Sequence, residues 1–309
     1  MRRHAGAALP IASVVGAAVF LWPFFSSGPP GAATAAAFGI GTAAGLAALE
    51  LAAGRLDARR LALLAALSAI DAAARAVVVT GIGGFSPIFL LILCGGYVFG
   101  AEYGFLLGAT TLLVSALVTG GLGPWLPYQL FAAGWVGALA GLAGRGRTGR
   151  PTRRDVAVLV AVGVVTGYGF GAVMDVWNWT FFQSSPGLGF HPGMAAGEAL
   201  SHFARFYVVT SALYDTFRAG GNAVMVAVLG TPVLVALARL RARLSVTVEP
   251  VAPAASVDPV APAASVQPVA PAASVEPVAP AASVEPVAPP GVGTRGGAPE
   301  RAREERPVG

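Results

Sequence analysis

The chain contains no lysine, one cysteine, three histidines and little charge of either sign. Only 11% of its 309 residues are charged, and all twenty basic residues are arginine. Each scarcity excludes something. A single cysteine rules out a disulfide within the chain, and Cys94, placed inside an apolar run, reads as a packing residue. The histidines, at positions 4, 191 and 202, form no His-Glu-x-x-His motif, so a catalytic zinc site has no basis. There is no phosphate-binding loop, and any ATP hydrolysis must come from another chain. Gly84-Phe-Ser-Pro87 is not a nucleophile elbow, because Pro87 stands where that turn needs a small residue. These absences argue against an enzyme and call for no cofactor.

The abundant component is apolar: 55% of residues are hydrophobic and the mean hydropathy is +0.70. That composition predicts an integral membrane protein with an all-α fold, a polytopic helix bundle in a lipid bilayer. The formal charge of +5 is then no sign of nucleic acid. The arginines gather at the ends of apolar runs, where the bilayer explains them better than a polyanion does. Exclusive use of arginine, with much alanine and glycine, fits a GC-rich bacterial genome and hence a bacterial plasma membrane.

A helix crosses about 30 Å of hydrocarbon with roughly 20 residues. Apolar runs at 7 to 25, 34 to 53, 61 to 80, 87 to 100, 104 to 120, 128 to 144, 156 to 178 and 219 to 238 predict eight spans. Arg2 and Arg3 precede the first, Arg55, Arg59 and Arg60 follow the second, five arginines lie between 145 and 154, and Arg239, Arg241 and Arg243 follow the eighth. All fall on one side of the membrane, which the positive-inside rule makes cytoplasmic, along with both termini. The alternate loops at 26 to 33, 81 to 86 and 121 to 127 carry no charge. The first run could be a secretory signal, but its length and its Trp22, Pro23 and phenylalanines favour a retained helix. The short, glycine-rich run at 87 to 100 is expected to pack between neighbours rather than face lipid.

Beyond Arg243 a nine-residue unit, Val-Glu-Pro-Val-Ala-Pro-Ala-Ala-Ser, starts at Val248 and recurs with small changes at Val257, Val266, Val275 and Val284. Its prolines remove backbone donors and hold the chain near polyproline II, so residues 244 to 309 are expected to be a disordered, semi-stiff cytoplasmic tail. A spacer is the simplest reading, and a proline-rich ligand for a partner domain is the other.

Five segments, taken in order, resemble the substrate-binding membrane subunits, or S-components, of energy-coupling factor (ECF) vitamin transporters. They are Gly83-Gly-Phe-Ser-Pro87, Gly100-Ala-Glu-Tyr-Gly-Phe-Leu-Leu-Gly-Ala109, and Gly121-Leu-Gly-Pro-Trp-Leu-Pro-Tyr-Gln129 with Ala132-Ala-Gly-Trp-Val-Gly137. Tyr168-Gly-Phe-Gly-Ala-Val-Met-Asp-Val-Trp-Asn-Trp179 and Tyr214-Asp-Thr-Phe-Arg-Ala-Gly-Gly-Asn-Ala223 complete the series. The likeness covers roughly 59 to 243. It implies a six-helix module over 58 to 243 that binds a vitamin-like small molecule from outside and topples in the membrane. A transmembrane coupling subunit and two cytoplasmic ATPases would drive it. Two added helices in 1 to 57 depart from the minimal six. Together with the large aromatic exit loop they look most like members proposed for cobalamin-like compounds.

The third run carries two overlapping small-xxx-small series, Ala58, Ala62, Ala66 and Ala65, Ala69, Ala73. Such flat stripes admit a close helix neighbour. The resemblance makes Ala58, Ala62 and Ala66 the docking face for the coupling subunit; ordinary packing within the chain is the alternative. Asp71 and Arg75, four apart, form either a structural pair or a pocket in which Arg75 meets an acidic substrate group. Asp215 and Arg218, three apart, can satisfy one another, and Asp175 is the strongest acidic candidate for a substrate.

On the side expected to be extracellular, Trp125, Tyr128 and Gln129 occupy one loop, and Trp177, Asn178, Trp179, Phe181, Phe182 and Gln183 the next exit. His191, Glu198, His202 and Arg205 follow. Each aromatic alone fits an interfacial belt, but together they offer the π-faces and amides that a vitamin pocket needs. The long 179 to 203 connection reads as a lid or binding loop. A stand-alone carrier or channel, or a scaffold acting through its proline-rich tail, are the competing readings. A proton-driven carrier would call for a chain of mid-membrane acids, which the runs lack.

Overall fold

A computed structural model describes residues 8–25, 30–77, 86–147 and 149–244. Arg2, Arg3, half of the 26 to 33 loop, most of the 81 to 86 loop and the repeat tail lie outside the described residues. Those described residues form an all-α bundle without strands. In chain order it comprises α1 (Ala8–Phe20), a 3-10 turn (Trp22–Phe24), α2 (Pro30–Ala53), α3 (Ala58–Val77), α4 (Ile88–Phe99) and α5 (Ala101–Thr119). Then follow α6 (Leu126–Ala143), α7 (Arg153–Trp179), α8 (Ala196–Thr210) and α9 (Ala212–Leu244). Five of these, in α2, α5, α6, α7 and α9, are long and apolar enough to cross a membrane, and α1 and α4 are apolar but shorter. α3 is long enough but carries Arg59, Arg60, Asp71 and Arg75. Large apolar side chains point outward, with Val165 67% and Val228 68% exposed. An apolar outer surface suits a protein whose solvent is lipid.

Each expected span is therefore a helix, with two differences. α9 begins at Ala212 rather than near 219, and the 179 to 203 connection holds a helix, α8, that apolar-run counting passed over. The first difference has an electrostatic cause: Asp215 and Arg218 are both buried and pair with each other, so they enter the helix without an unpaired charge. α8 is amphipathic and buries only Ala199 and Phe206, which is why no apolar run announced it.

The centre of the bundle is α4, α5 and α6. Nearly all of α4 is buried, in line with its expected packing between neighbours. Close approach here requires glycine: a Cβ at Gly104 or Gly96 would strike the Gly137 carbonyl, and one at Gly108 the Ala133 carbonyl. Gly104 and Gly108 on α5, and Ala133 and Gly137 on α6, are each four apart, so every turn presents a flat spot to the partner.

α7 and α9 pair by the same device. Gly163, Gly167 and Gly171 face Asn222, Ala219 and Asp215 in antiparallel register. Asn222 Nδ2 donates to the Gly163 carbonyl at 3.0 Å. Asp175, the next residue on that stripe, lies beside Ser211.

The connections sort charge by end. One end gathers Arg55, Arg59 and Arg60, the 145–154 arginines and Arg239, Arg241 and Arg243. There Arg55 pairs with Glu102 at 2.7 Å and Arg147 with Asp155 at 2.9 Å. The other end, here the far end, holds the aromatic segments. α1 and α2 belong to the same compact unit as the later helices.

Candidate functional site

The far end contains two groups of side chains. The first joins the two aromatic segments that the sequence singled out. Tyr128, one turn into α6, is buried and lies 5.7 Å, centroid to centroid, from Trp177 on α7. Trp177 in turn meets Phe181 edge-on at 5.0 Å. Phe20, from the end of α1, stacks on Tyr128 at 4.1 Å. The Tyr128 hydroxyl is buried without a close hydrogen-bond partner; the Trp22 side chain is the polar group that faces it.

The second group is polar. Asp215 is held on both carboxylate oxygens, by Arg218 on Oδ1 and by the Tyr207 hydroxyl on Oδ2 at 2.9 Å. Burial and the neighbouring Asp215 carboxylate push the Tyr207 phenol above its ordinary range. Arg218 also lies over the rings of Phe170, at 5.2 Å, and Tyr214, at 5.0 Å. Asp175 is buried beside Ser211 and Asn178, with Oδ2 making no hydrogen bond. A buried carboxylate oxygen without a donor is costly, and a ligand N–H or O–H would relieve it.

The remaining predicted residues are spread around these groups. Trp125 precedes α6 and is 37% exposed; Gln129 is half-buried, and Asn178 is exposed. Trp179 is completely buried. Its indole N–H donates to the Leu188 carbonyl at 2.8 Å, and its ring packs on Phe24, Phe190 and Phe203. It anchors the 180–195 segment, which is further pinned by Phe190 N–H to the Phe182 carbonyl at 2.7 Å and Arg205 to the Gly187 carbonyl at 3.2 Å. His191 is exposed on that segment. His202 Nδ1 lies 2.9 Å from the Gly189 carbonyl.

Arg75 does not pair with Asp71. Its guanidinium turns to α5 and donates to Ser115 Oγ at 3.2 Å, while Asp71 is buried near Cys94 with Oδ2 unpartnered. The expected structural pair is therefore absent: i,i+4 spacing permits it, but the packing of α3 on α5 brings Ser115 within reach first. Ala58, Ala62 and Ala66 are exposed on α3, as are Ala65, Ala69 and Ala73. Both alanine series thus lie on the open side of α3 among the described residues.

Sequence reading passed over Phe20, Trp22 and Phe24 as neighbours of Tyr128 and Trp179. Their signal was the aromatic run Phe20-Leu-Trp-Pro-Phe-Phe25 at the end of the first span. It also passed over Ser115, Tyr207 and Ser211, polar residues whose roles depend on contacts between helices. An apolar groove of about 440 Å³ lies beside this end, bounded by Phe24, Val176, Leu200 and Phe203, and no predicted residue lines it. Comparison with protein families, curated proteins and solved structures finds no match for this chain.

Proposed function

We propose that this chain is the substrate-binding membrane subunit of an ECF-type importer. It takes a vitamin-like small molecule, a cobalamin-like compound being the first choice, at the far end of the bundle and delivers it by toppling against a transmembrane coupling subunit served by two ATPases. The chain itself is not an enzyme. On this reading the arginine-rich end and both termini are cytoplasmic, because positive charge is retained on that side, and the far end faces outward in a bacterial plasma membrane. The core is 58 to 243, with 1 to 57 added and 244 to 309 a tail.

The observation that carries the proposal is the polar group at the far end. Asp175, with an unused acceptor, lies near the Asp215–Arg218 pair on the α9 side of α7, and Trp177, two residues on, faces a different way and meets Tyr128. π-faces and unspent hydrogen-bonding capacity at one end of the bundle suit a planar, amide-bearing ligand. Trp125, Gln129, Asn178 and His191 would extend the contact around the rim, and Arg75 would meet an acidic group. The exposed alanines of α3 supply a flat face for the coupling subunit.

A stand-alone secondary carrier is the second reading, favoured by Asp71 and Asp175, two buried acids with unpartnered oxygens. One experiment separates the two. Detergent-purified chain is examined by native mass spectrometry for a retained small molecule, and membranes are tested for co-purification of a coupling subunit with two ATPases. Retention with co-purification is expected. Accumulation of the same molecule by proteoliposomes holding this chain alone would replace the importer with the carrier.

A further inference from the structure

At the arginine-rich end, the loop between α6 and α7 and the last turns of α9 close around a cavity of about 480 Å³ lined by Arg147, Arg150, Arg241, Thr152, Tyr97 and Asp155. A second cavity of about 530 Å³ lies beside it, and Tyr97, Arg147 and Arg241 border both. Three arginines from two distant parts of the chain thus converge on one cleft.

The single acid of the first cavity is already engaged. Asp155 accepts from Tyr97 Oη at 2.6 Å, from Arg147 at 2.9 Å, and from the Thr152 backbone N–H at 2.7 Å and hydroxyl at 2.6 Å. Arg241 gives one N–H to the Val98 carbonyl at 2.8 Å, and Arg150 is exposed. A guanidinium carries five donors in a planar fork. Each arginine therefore keeps donors after these bonds, and three positive charges face one satisfied carboxylate. Such a cleft is shaped for a phosphate oxyanion, which guanidinium forks bind bidentately. Its volume falls in the range of small-molecule sites.

We infer that this cleft is a binding site for a phosphate-bearing anion, presented either by the headgroup of an anionic phospholipid or by a soluble phosphate compound. Arg147 and Tyr97 with Asp155 form its fixed wall, and Arg150 and Arg241 grip the anion from the open side. A lipid source fits the position between membrane-spanning helices at their basic ends. The inference is independent of what the far end carries.

The test uses the full chain, stripped of lipid in detergent, with phosphatidylglycerol, phosphatidylcholine or inorganic phosphate added. Lipid retention is read by native mass spectrometry and stability by thermal unfolding. Phosphatidylglycerol should be retained and should raise the unfolding midpoint, and phosphatidylcholine should do neither. Arg150→Gln and Arg241→Gln should each lower retention about fivefold. Arg150 makes no hydrogen bond to the described protein that its loss would break, so its variant stays folded. Arg59→Gln with Arg60→Gln removes twice the charge of either single variant from the same end and should leave retention unchanged. If inorganic phosphate displaces the lipid and protects the fold in the same arginine-dependent way, the source is a soluble phosphate and the site stands. Equal retention of both lipids with no protection by phosphate would overturn the inference, as would equal loss in the Arg59/Arg60 variant.

Discussion

The carboxylate of Asp215 occupies the space in which a side chain at Gly171 would begin. Gly171 is thus what lets α9 bring its buried Asp215–Arg218 pair against α7. Gly171→Ala should drive the carboxylate away from Arg218 and Tyr207 and cost about 3 to 5 kcal/mol, as for other broken buried pairs. Gly169→Ala and Gly220→Ala, with open space around each, should be neutral or gain up to about 1 kcal/mol from helix propensity. Thermal unfolding in detergent compares them; equal midpoints would show that the α7–α9 approach does not depend on Gly171.

Trp179 ties the 180–195 segment to the bundle through its ring and its N–H. Trp179→Ala should cost about 3 to 5 kcal/mol, whereas Trp179→Phe should lose about 1 kcal/mol with the hydrogen bond. Limited proteolysis should cut between 180 and 195 far faster in the alanine variant. Unchanged cleavage would mean that the other hydrogen bonds suffice to hold the segment.

Asp175 should separate stability from function. Asp175→Asn keeps the volume and removes the charge of a buried carboxylate with a free oxygen, so the unfolding midpoint should stay level or rise. Retention of the native ligand should fall about tenfold or more, the worth of a charged hydrogen bond. Loss of stability with full ligand retention would make Asp175 a structural residue.

Tyr128→Phe deletes a hydroxyl buried without a close partner. Stability should change by about 1 kcal/mol or less, in either direction. Reduced ligand retention would then assign that hydroxyl to the substrate, and unaltered retention would leave Tyr128 as packing for Phe20 and Trp177. Trp125→Ala and Gln129→Ala, nearer the rim, should weaken binding without loss of folded protein.

Ala62→Leu enlarges an exposed residue of α3. Folding and ligand retention should be normal, and under the proposed importer function uptake should fall, because a coupling subunit could no longer approach. Full uptake would remove the α3 alanines from the docking face.

The helices at the eight apolar runs were legible, five of them long and apolar enough to cross a membrane, because crossing a bilayer imposes a length and an apolar composition that local sequence must satisfy. The arginine clusters were equally plain, being a matter of position along the chain. α8 was not, since it rests on the bundle by one face and buries only two residues. Nor was the early start of α9, because the segment holding Asp215 and Arg218 reads as polar until the two cancel. Asp71 and Arg75 show the converse. Their spacing allowed a pair, yet Arg75 found Ser115, forty residues away, on a neighbouring helix.

By itself, then, the sequence determined an all-helical membrane bundle, the position of its apolar helices and the sorting of the arginine clusters to one end, because these follow from transfer energies counted residue by residue. Only the tertiary structure decided which polar groups are satisfied and which are left open. It brought Tyr128 to Trp177, buried Trp179 as an anchor, left the Asp175 oxygen without a donor and gathered Arg147, Arg150 and Arg241 around one cleft. Hydrogen bonds and ring contacts act over a few ångströms, and glycine spacing and helix register determine which distant residues come that close.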